Sequence, residues 1–246
     1  MTNRLLVTLC TYNERQNIEN LVPVIFRYAP DAHIVIIDDN SPDGTGKFAD
    51  ELAAENPAIK VLHRTGKQGL GSATLLGFNY GIENGYELLV NLDADFSHHP
   101  QHIPAMLECM DRADVAIGSR YIKGGGVEGW GLKRHFMSKS INLYAKLLLG
   151  LKTNDNSGSF RCYRVARLAE LDLDAVRSKG YSFQEEILYR LERINCTFEE
   201  TPIYFANRRF GEAKINMQEA VSAMVVLFQL AIDRMRRVPV TKTPKA

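Results

Sequence analysis

The alternation of two periodicities along this chain constrains its fold more than any other feature. Short apolar runs bounded by turn residues fall at 5–10, 33–37, 59–63, 87–92 and 114–118. Between them lie longer stretches with helical spacing, at 18–28, 46–55, 72–83 and 103–112. Strands separated by crossover helices pair in parallel, so the pattern predicts an α/β fold, a mostly parallel sheet flanked by helices. With 246 residues, 45% of them hydrophobic, the chain can close a substantial core, and we read it as one domain.

Ligands of such sheets collect at the carboxyl ends of the strands. The polar residues fall there: Thr11-Tyr12-Asn13-Glu14 after the first run, Asp38-Asp39-Asn40-Ser41 after the second, Asp93-Ala94-Asp95 after the fourth. Carboxylates gathered at one edge are costly unless something positive meets them, and a hard divalent cation is the usual answer. Magnesium or manganese fits, because such ions take one or two carboxylates plus the oxygens of a diphosphate. Residues two apart on a strand point the same way, which lets Asp93 and Asp95 reach one ligand. Asp39, an acceptor only, suits a ribose hydroxyl or a base edge. An isolated Asp-x-Asp is more often a solvated turn; the two other acidic strand ends and Ser119-Arg120 favour the metal reading.

Competing readings fail on spacing. In Gly66-Lys67-Gln68-Gly69-Leu70-Gly71-Ser72 the lysine is not followed by Ser or Thr, so the stretch is a loop opening a helix rather than a phosphate-binding Walker loop. His98 and His102 lack a third zinc ligand, and Pro100 marks a helix start. Neither Ser97 nor Ser119 sits in a nucleophile elbow. Cys10, Cys109, Cys162 and Cys196 are too dispersed for a zinc knuckle or a disulfide scaffold, which predicts a reduced cytosolic setting. A net charge of +1 gives no field that would draw the chain to nucleic acid.

After Gly118 the alternation breaks. A glycine-rich loop at Gly124-Gly125-Gly126, a basic helical stretch over 133–149 and a polar turn over 154–158 read as the acceptor side. A final helix over 217–236 is interrupted by Ser222 and Gln229 and falls short of the ~20 apolar residues a membrane span needs. From Phe205 onward there are eight basic and three acidic residues, against 22 and 26 before it. The apolar part of the N-terminus is too short for a signal peptide. The expected layout is a catalytic domain over 1–215, an amphipathic helix over 216–238 and a basic tail over 239–246.

Several ordered motifs together resemble family 2 glycosyltransferases, specifically dolichol-phosphate (polyprenol-phosphate) mannose synthases. They are Thr11-Tyr12-Asn13-Glu14-Arg15, Ile37-Asp38-Asp39-Asn40-Ser41-Pro42-Asp43-Gly44-Thr45, Gly69-Leu70-Gly71-Ser72-Ala73 and Asp93-Ala94-Asp95-Phe96-Ser97-His98-His99-Pro100. Later come Gly118-Ser119-Arg120-Tyr121, Gly129-Trp130-Gly131-Leu132-Lys133-Arg134, Ser157-Gly158-Ser159-Phe160-Arg161, Gly180-Tyr181-Ser182-Phe183-Gln184 and Arg208-Arg209-Phe210-Gly211-Glu212-Ala213-Lys214. The likeness runs from about residue 5 to 215.

The resemblance implies a type A glycosyltransferase fold, of the nucleotide-diphospho-sugar transferase kind, and inverting transfer of mannose from GDP-mannose to a polyprenyl phosphate. It implies that Cys10, Tyr12, Glu14, Ile37 and Asp39 hold the guanosine. Asp93, Ala94 and Asp95 would hold sugar, diphosphate and Mg²⁺ or Mn²⁺, with Ser97 a further candidate in the metal shell. Arg120, Arg208 and Lys214 would contact the donor, and Arg134 and Ser138 the acceptor phosphate. Cys10 stands where relatives usually have Pro; Asn40 and Ser157 stand where Gly and Thr are frequent.

A phosphate acceptor agrees with the chemistry of these residues. A sugar hydroxyl needs a general base to attack; a phosphate oxygen is already ionised and needs neutralisation by Arg, Lys or metal instead. Catalysis on such a lipid places the protein in the cytoplasm against a membrane. The terminal helix and its cations would lie on the lipid, pack on the domain's own core, or dock to a small membrane anchor subunit. Two alternatives stay open: the same acceptor with UDP-glucose or another donor, and a nucleotide-sugar-binding or scaffold subunit without turnover.

Overall fold

The computed structural model describes residues 4–180, 182–206 and 217–242. Its first half is a strict alternation: β1 (Leu5–Thr11), α1 (Arg15–Tyr28), β2 (His33–Asp38), α2 (Thr45–Glu55), β3 (Ile59–His63), α3 (Leu70–Glu83) and β4 (Leu88–Asp93). There follow a 3₁₀ turn at Pro100–His102, α4 (Ile103–Cys109), β5 (Val115–Ser119), β6 (Gly126–Val127) and α5 (Leu132–Leu149). The chain then adds β7 (Arg161–Arg164), α6 (Val165–Glu170), α7 (Phe183–Arg193), β8 (Phe198–Pro202), β9 (Tyr204–Phe205) and α8 (Met217–Met235).

Seven strands form one sheet in the order β3-β2-β1-β4-β7-β5-β8, and β6 pairs with β9 in a second, two-stranded sheet. Only β7 runs antiparallel in the large sheet, against both β4 and β5. The period-two pleat sends successive residues to opposite faces. Leu5, Val7 and Leu9 of β1 therefore pack with Ile18, Leu21 and Ile25 of α1. Leu6, Val35 and Ile37 pack on the other face with Ala73 and Phe78 of α3 and Phe183 and Ile187 of α7. Burying both faces explains why these strands read as continuous apolar runs.

Two features were not evident in the sequence. Strand β7 carries Arg161 and Arg164 among four residues, and α7 buries Glu185, Glu186 and Arg190 along with its apolar residues. In α7 an ion pair replaces part of the hydrophobic stripe: Arg190 bonds Glu186 at 2.7 Å, and Glu186 also accepts from the backbone and hydroxyl of Ser178. Helix α8 packs on the domain through Leu227 and Leu230, which join the core on the α3–α7 face. Among the described residues no helix is long and apolar enough to cross a membrane.

Gly69 and Gly71, at the start of α3, let the helix approach the 178–180 segment. The N–H of Gly71 donates to the Lys179 carbonyl at 2.9 Å. A Cβ on Gly71 would lie 2.5 Å from the Ser178 carbonyl oxygen and 2.9 Å from the Phe183 ring, whereas one on Gly66 would meet nothing within 4 Å. We expect Gly71→Ala to lower unfolding free energy in urea by ~2 kcal/mol or more, and Gly66→Ala to change it by less than ~0.5 kcal/mol.

Candidate active site

The strand order reverses between β1 and β4, and a crevice opens at their carboxyl ends, as it does at the switch point of open α/β sheets. Cys10 is in register with Ile37 on one side and Asp93 on the other. A cleft of about 210 Å³ opens there. Of the residues expected from the sequence, it gathers Cys10, Tyr12, Glu14, Asp39, Asp93, Ala94 and Asp95. Ile37 lies beside them in the buried core. Arg120, Arg134 and Ser138 are not among the lining residues, and Arg208 and Lys214 lie outside the described residues.

Asp93 is the last residue of β4, so Asp95 belongs to the following turn and not to the strand. The expectation that a strand aims both side chains alike is corrected: the turn, with Phe96 at φ 63°, brings the second carboxylate to the cleft. A bulky residue in the left-handed region is a strained conformation that the surroundings must hold. Each carboxylate is oriented by a hydrogen bond. Ser159 Oγ donates to Asp93 Oδ1 at 2.7 Å, and the Ser97 N–H donates to Asp95 Oδ1 at 3.0 Å.

The acidic residues of β2 divide their roles. Asp38 is buried and takes bonds from Thr11 Oγ1, Ser41 N and Ser41 Oγ, closing the strand-end loop. Asp39 faces the cleft and pairs with Arg64 at 2.5 Å. Burial pushes the Asp39 carboxyl above its usual range, with Arg64 opposing. Asp43 sits at the start of α2; burial would raise it, but bonds from Thr45 and from the Arg15 N–H outweigh burial and hold it low. The Cys10 thiol is pushed up to about 12 by burial, so it contributes no thiolate.

His98 is buried in an aromatic setting. Its ring lies between Phe160, at 5.3 Å, and Phe205, at 5.0 Å. Burial depresses its pKa, against the pull of Asp93 and Asp95, and keeps it neutral. Pro100 does begin a helical turn, as the sequence implied.

A second polar centre lies beyond the cleft. The buried Arg120 donates to Asp155 through Nε at 2.7 Å and through Nη2 at 2.6 Å, and its Nη2 reaches Ser157 Oγ at 3.0 Å. Burial would raise the Asp155 carboxyl, but the bonds and charge of Arg120 outweigh it and hold it low. The Arg120 guanidinium also lies 5.2–5.6 Å from the ring centroids of Tyr121, Trp130 and Phe205. Arg134, on α5, stacks 4.1 Å over Trp130, and Ser138 Oγ shares a 2.6 Å bond with Tyr121 OH.

Sequence reasoning missed Arg64, Lys67, Asn91, Ser159 and Glu185. Arg64 follows β3 directly, so the strand-end rule applied to β3 would have found it. Lys67 lies 5.2 Å over the Tyr12 ring, an approach no linear spacing encodes. Glu185 is wholly buried near Arg161, and burial pushes its carboxyl up to about 7.

The ordinary glutamate value is 4.5, so the folded protein holds this proton more tightly than the unfolded chain. The stability Glu185 contributes is full below 4.5 and declines as pH rises to about 7. Glu185→Gln should therefore melt progressively higher than wild type between pH 5 and pH 8. The gain at pH 8 should be on the order of 3 kcal/mol.

An α/β domain with acidic strand ends around a switch-point cleft is a frame that places a ligand site at its strand ends. Residues 6–171 match the glycosyl transferase family 2 model, and the chain belongs to that family. It is 44% identical to a polyprenol monophosphomannose synthase from Mycolicibacterium smegmatis over 225 residues, 89% of this chain and 85% of the relative. It is 42% identical to an undecaprenyl-phosphate mannosyltransferase from Micrococcus luteus over 213 residues, 87% of this chain and 88% of the relative.

Among solved structures, glucosyl-3-phosphoglycerate synthase from Mycobacterium tuberculosis, in complex with Mn²⁺ and UDP-glucose, superposes with a TM-score of 0.64 at 15% identity. The match covers 94% of this chain and 79% of that one. S. aureus TarS, in complex with UDP-GlcNAc, gives 0.61 at 17% identity, over 94% of this chain and 66% of that one. The fold is thus the type A glycosyltransferase fold.

Among the described residues no cluster of three or more His, Cys, Asp or Glu side chains could enclose a metal ion. The residues present nevertheless fit Mg²⁺ or Mn²⁺ carried in with a diphosphate, because two carboxylates, Asp93 and Asp95, line the cleft and such ions take oxygen ligands. Ser97 Oγ, next to them, is buried with no hydrogen-bond partner among the described residues.

Proposed function

We propose that this enzyme transfers mannose from GDP-mannose to the phosphate of a polyprenol, with inversion at the anomeric carbon. The observation that carries the reading is the set of residues that lines the cleft. Asp39, after β2, and Asp93, at the end of β4, flank β1 on opposite sides, and Tyr12, Glu14 and Asp95 line the same cleft; the acceptor-only carboxylates of Glu14 and Asp39 suit a nucleoside. The names of the two relatives support the sugar and the lipid acceptor.

In this reading Asp93 and Asp95 hold a divalent cation against the donor diphosphate, with Ser97 as a further ligand. When bound, the cation supplies charge stabilisation for the departing GDP. A lipid phosphate oxygen forms the new bond to the anomeric carbon as the bond to GDP breaks. Because that oxygen is already ionised, the site needs cations rather than a base. Arg134 and Ser138 are assigned to the acceptor phosphate, and Arg120, Arg208 and Lys214 to the donor. The Arg120–Asp155 pair holds the guanidinium in one orientation.

The test is to incubate the enzyme with Mg²⁺, a polyprenyl phosphate and radiolabelled GDP-mannose, UDP-glucose or UDP-N-acetylglucosamine, and then to extract the lipid. We expect label only from GDP-mannose; label only from a UDP-sugar would overturn the donor, and none from any would favour a scaffold. Asp95→Asn should lower kcat by roughly 10²-fold or more without shifting the melting temperature. Arg134→Ala should raise KM for the lipid and leave KM for GDP-mannose unchanged.

A further inference from the structure

Helix α5 carries Arg134 and Ser138 in its exposed half. No residue from Leu132 to Ile141 is buried, and the helix enters the interior only through Asn142, Ala145 and Leu149. Arg134 rests on the Trp130 ring and Ser138 Oγ bonds Tyr121 OH. Asn142 is the first buried residue after them, and so the point about which the outer half of the helix is held.

Asn142 meets the domain through its side-chain amide. Nδ2 donates to the Ser138 carbonyl at 2.9 Å and to Ser157 Oγ at 3.0 Å. Oδ1 accepts from the N–H of Asn156 at 2.6 Å and of Ser157 at 3.3 Å. Both amide protons and both oxygen lone pairs are thus used, a set that neither Asp, with acceptors alone, nor Leu, with no polar atom, can supply. The turn on the other side of these bonds is itself fixed. Glu200 accepts from the N–H groups of Asn154 and Asp155 at 2.9 and 3.1 Å, and Arg161 Nη2 donates to the Asn156 carbonyl at 2.5 Å. Ser157 Oγ, which takes the Asn142 bond, also accepts from Arg120 Nη2 at 3.0 Å.

A buried amide that only filled space could bond any neighbour. The two protons of this one go to the backbone of Ser138, assigned to the acceptor phosphate, and to the hydroxyl that Arg120, assigned to the donor, also uses. We infer that Asn142 is a positioning residue that sets the outer half of α5, with Arg134 and Ser138, relative to the Arg120 guanidinium. It acts through Ser138 and Ser157 and not on the reacting atoms. The inference rests on the proposed reaction and deepens it, because it names what keeps the acceptor contacts in register with the donor contacts. Transfer needs the phosphate oxygen aligned with the anomeric carbon, and a displacement of ~1 Å costs about 10²-fold in rate. Truncating Asn142 frees the outer half of α5 to pivot by that order.

The test pairs kinetics with the fluorescence of Trp130, the chain's one tryptophan, whose ring centroid lies 4.1 Å from the Arg134 guanidinium and 5.6 Å from that of Arg120. Asn142→Ala should lower kcat roughly 30- to 100-fold for transfer from GDP-mannose to a short-chain polyprenyl phosphate. Its Kd for GDP-mannose and its binding stoichiometry, read by calorimetry, should match wild type, and acrylamide should quench its Trp130 emission more strongly. Ser157→Ala should reproduce both changes, whereas Ser157→Thr, which keeps the hydroxyl, should show neither. Combining Asn142→Ala with Ser157→Ala should add little to the slower single variant, as for residues that share one contact. If Asn142→Ala does not fold, Ser157→Ala and Ser157→Thr carry the same comparison. A kcat near the wild-type value, unchanged Trp130 quenching, or kcat losses that multiply in the double variant would overturn the inference. So would a fall in kcat matched by a fall in GDP-mannose stoichiometry, the mark of a purely structural role. A wild type that labels no lipid from any donor sinks the reaction reading instead, and Trp130 quenching still decides whether Asn142 sets the placement of α5.

Discussion

Carboxylates at the carboxyl ends of adjacent parallel strands repel one another in a half-buried setting, and the way this chain disposes of that repulsion organises its site. Asp38 is turned inward and accepts hydroxyl and amide hydrogen bonds from Thr11 and Ser41. Asp39 is met by Arg64. Ser159 Oγ donates to Asp93 and the Ser97 N–H to Asp95, and both carboxylates line the cleft. Neutral donors aim a carboxylate without cancelling its charge, which leaves that part of the cleft suited to a cation arriving with its diphosphate.

The second half of the chain builds a different kind of surface. Arg120 is committed to Asp155 and enclosed by Tyr121, Trp130 and Phe205. This rigid cluster carries the loop that leads to α5, where Arg134 rests on the same Trp130 ring. Arg120 is near enough to the cleft to feel the charge of Asp93, and α5 turns Leu132, Phe136 and Leu147 outward. The Arg120–Trp130–Arg134 stack links the loop after β5 to α5.

Much of this was legible beforehand because parallel strands and crossover helices leave distinct periods in a sequence. The five predicted strands and the helices between them appear with boundaries moved by a few residues; α3 begins at Leu70 because Gly69, at φ 96°, forms the turn before it. The strand-end rule found Tyr12, Glu14, Asp39, Asp93 and Asp95. It misplaced Asp95 on the strand, since a left-handed Phe96 has no compositional signature. Strand β7 and helix α7 escaped notice for another reason: Arg161 and the Glu186–Arg190 pair are buried through hydrogen bonds and charge rather than hydrophobicity, which periodicity cannot register. Arg120 was singled out, but Asp155, its partner 35 residues away, was visible only as part of a polar turn.

The central claim is that Asp93 and Asp95 bind a divalent cation jointly with the donor diphosphate. Electron paramagnetic resonance of Mn²⁺ titrated into the protein, with and without GDP, tests it directly. The account predicts tight binding of one Mn²⁺ per chain that depends on GDP and is lost in Asp93→Asn and Asp95→Asn. Mn²⁺ binding of equal strength without nucleotide, or binding unchanged in both variants, would contradict it.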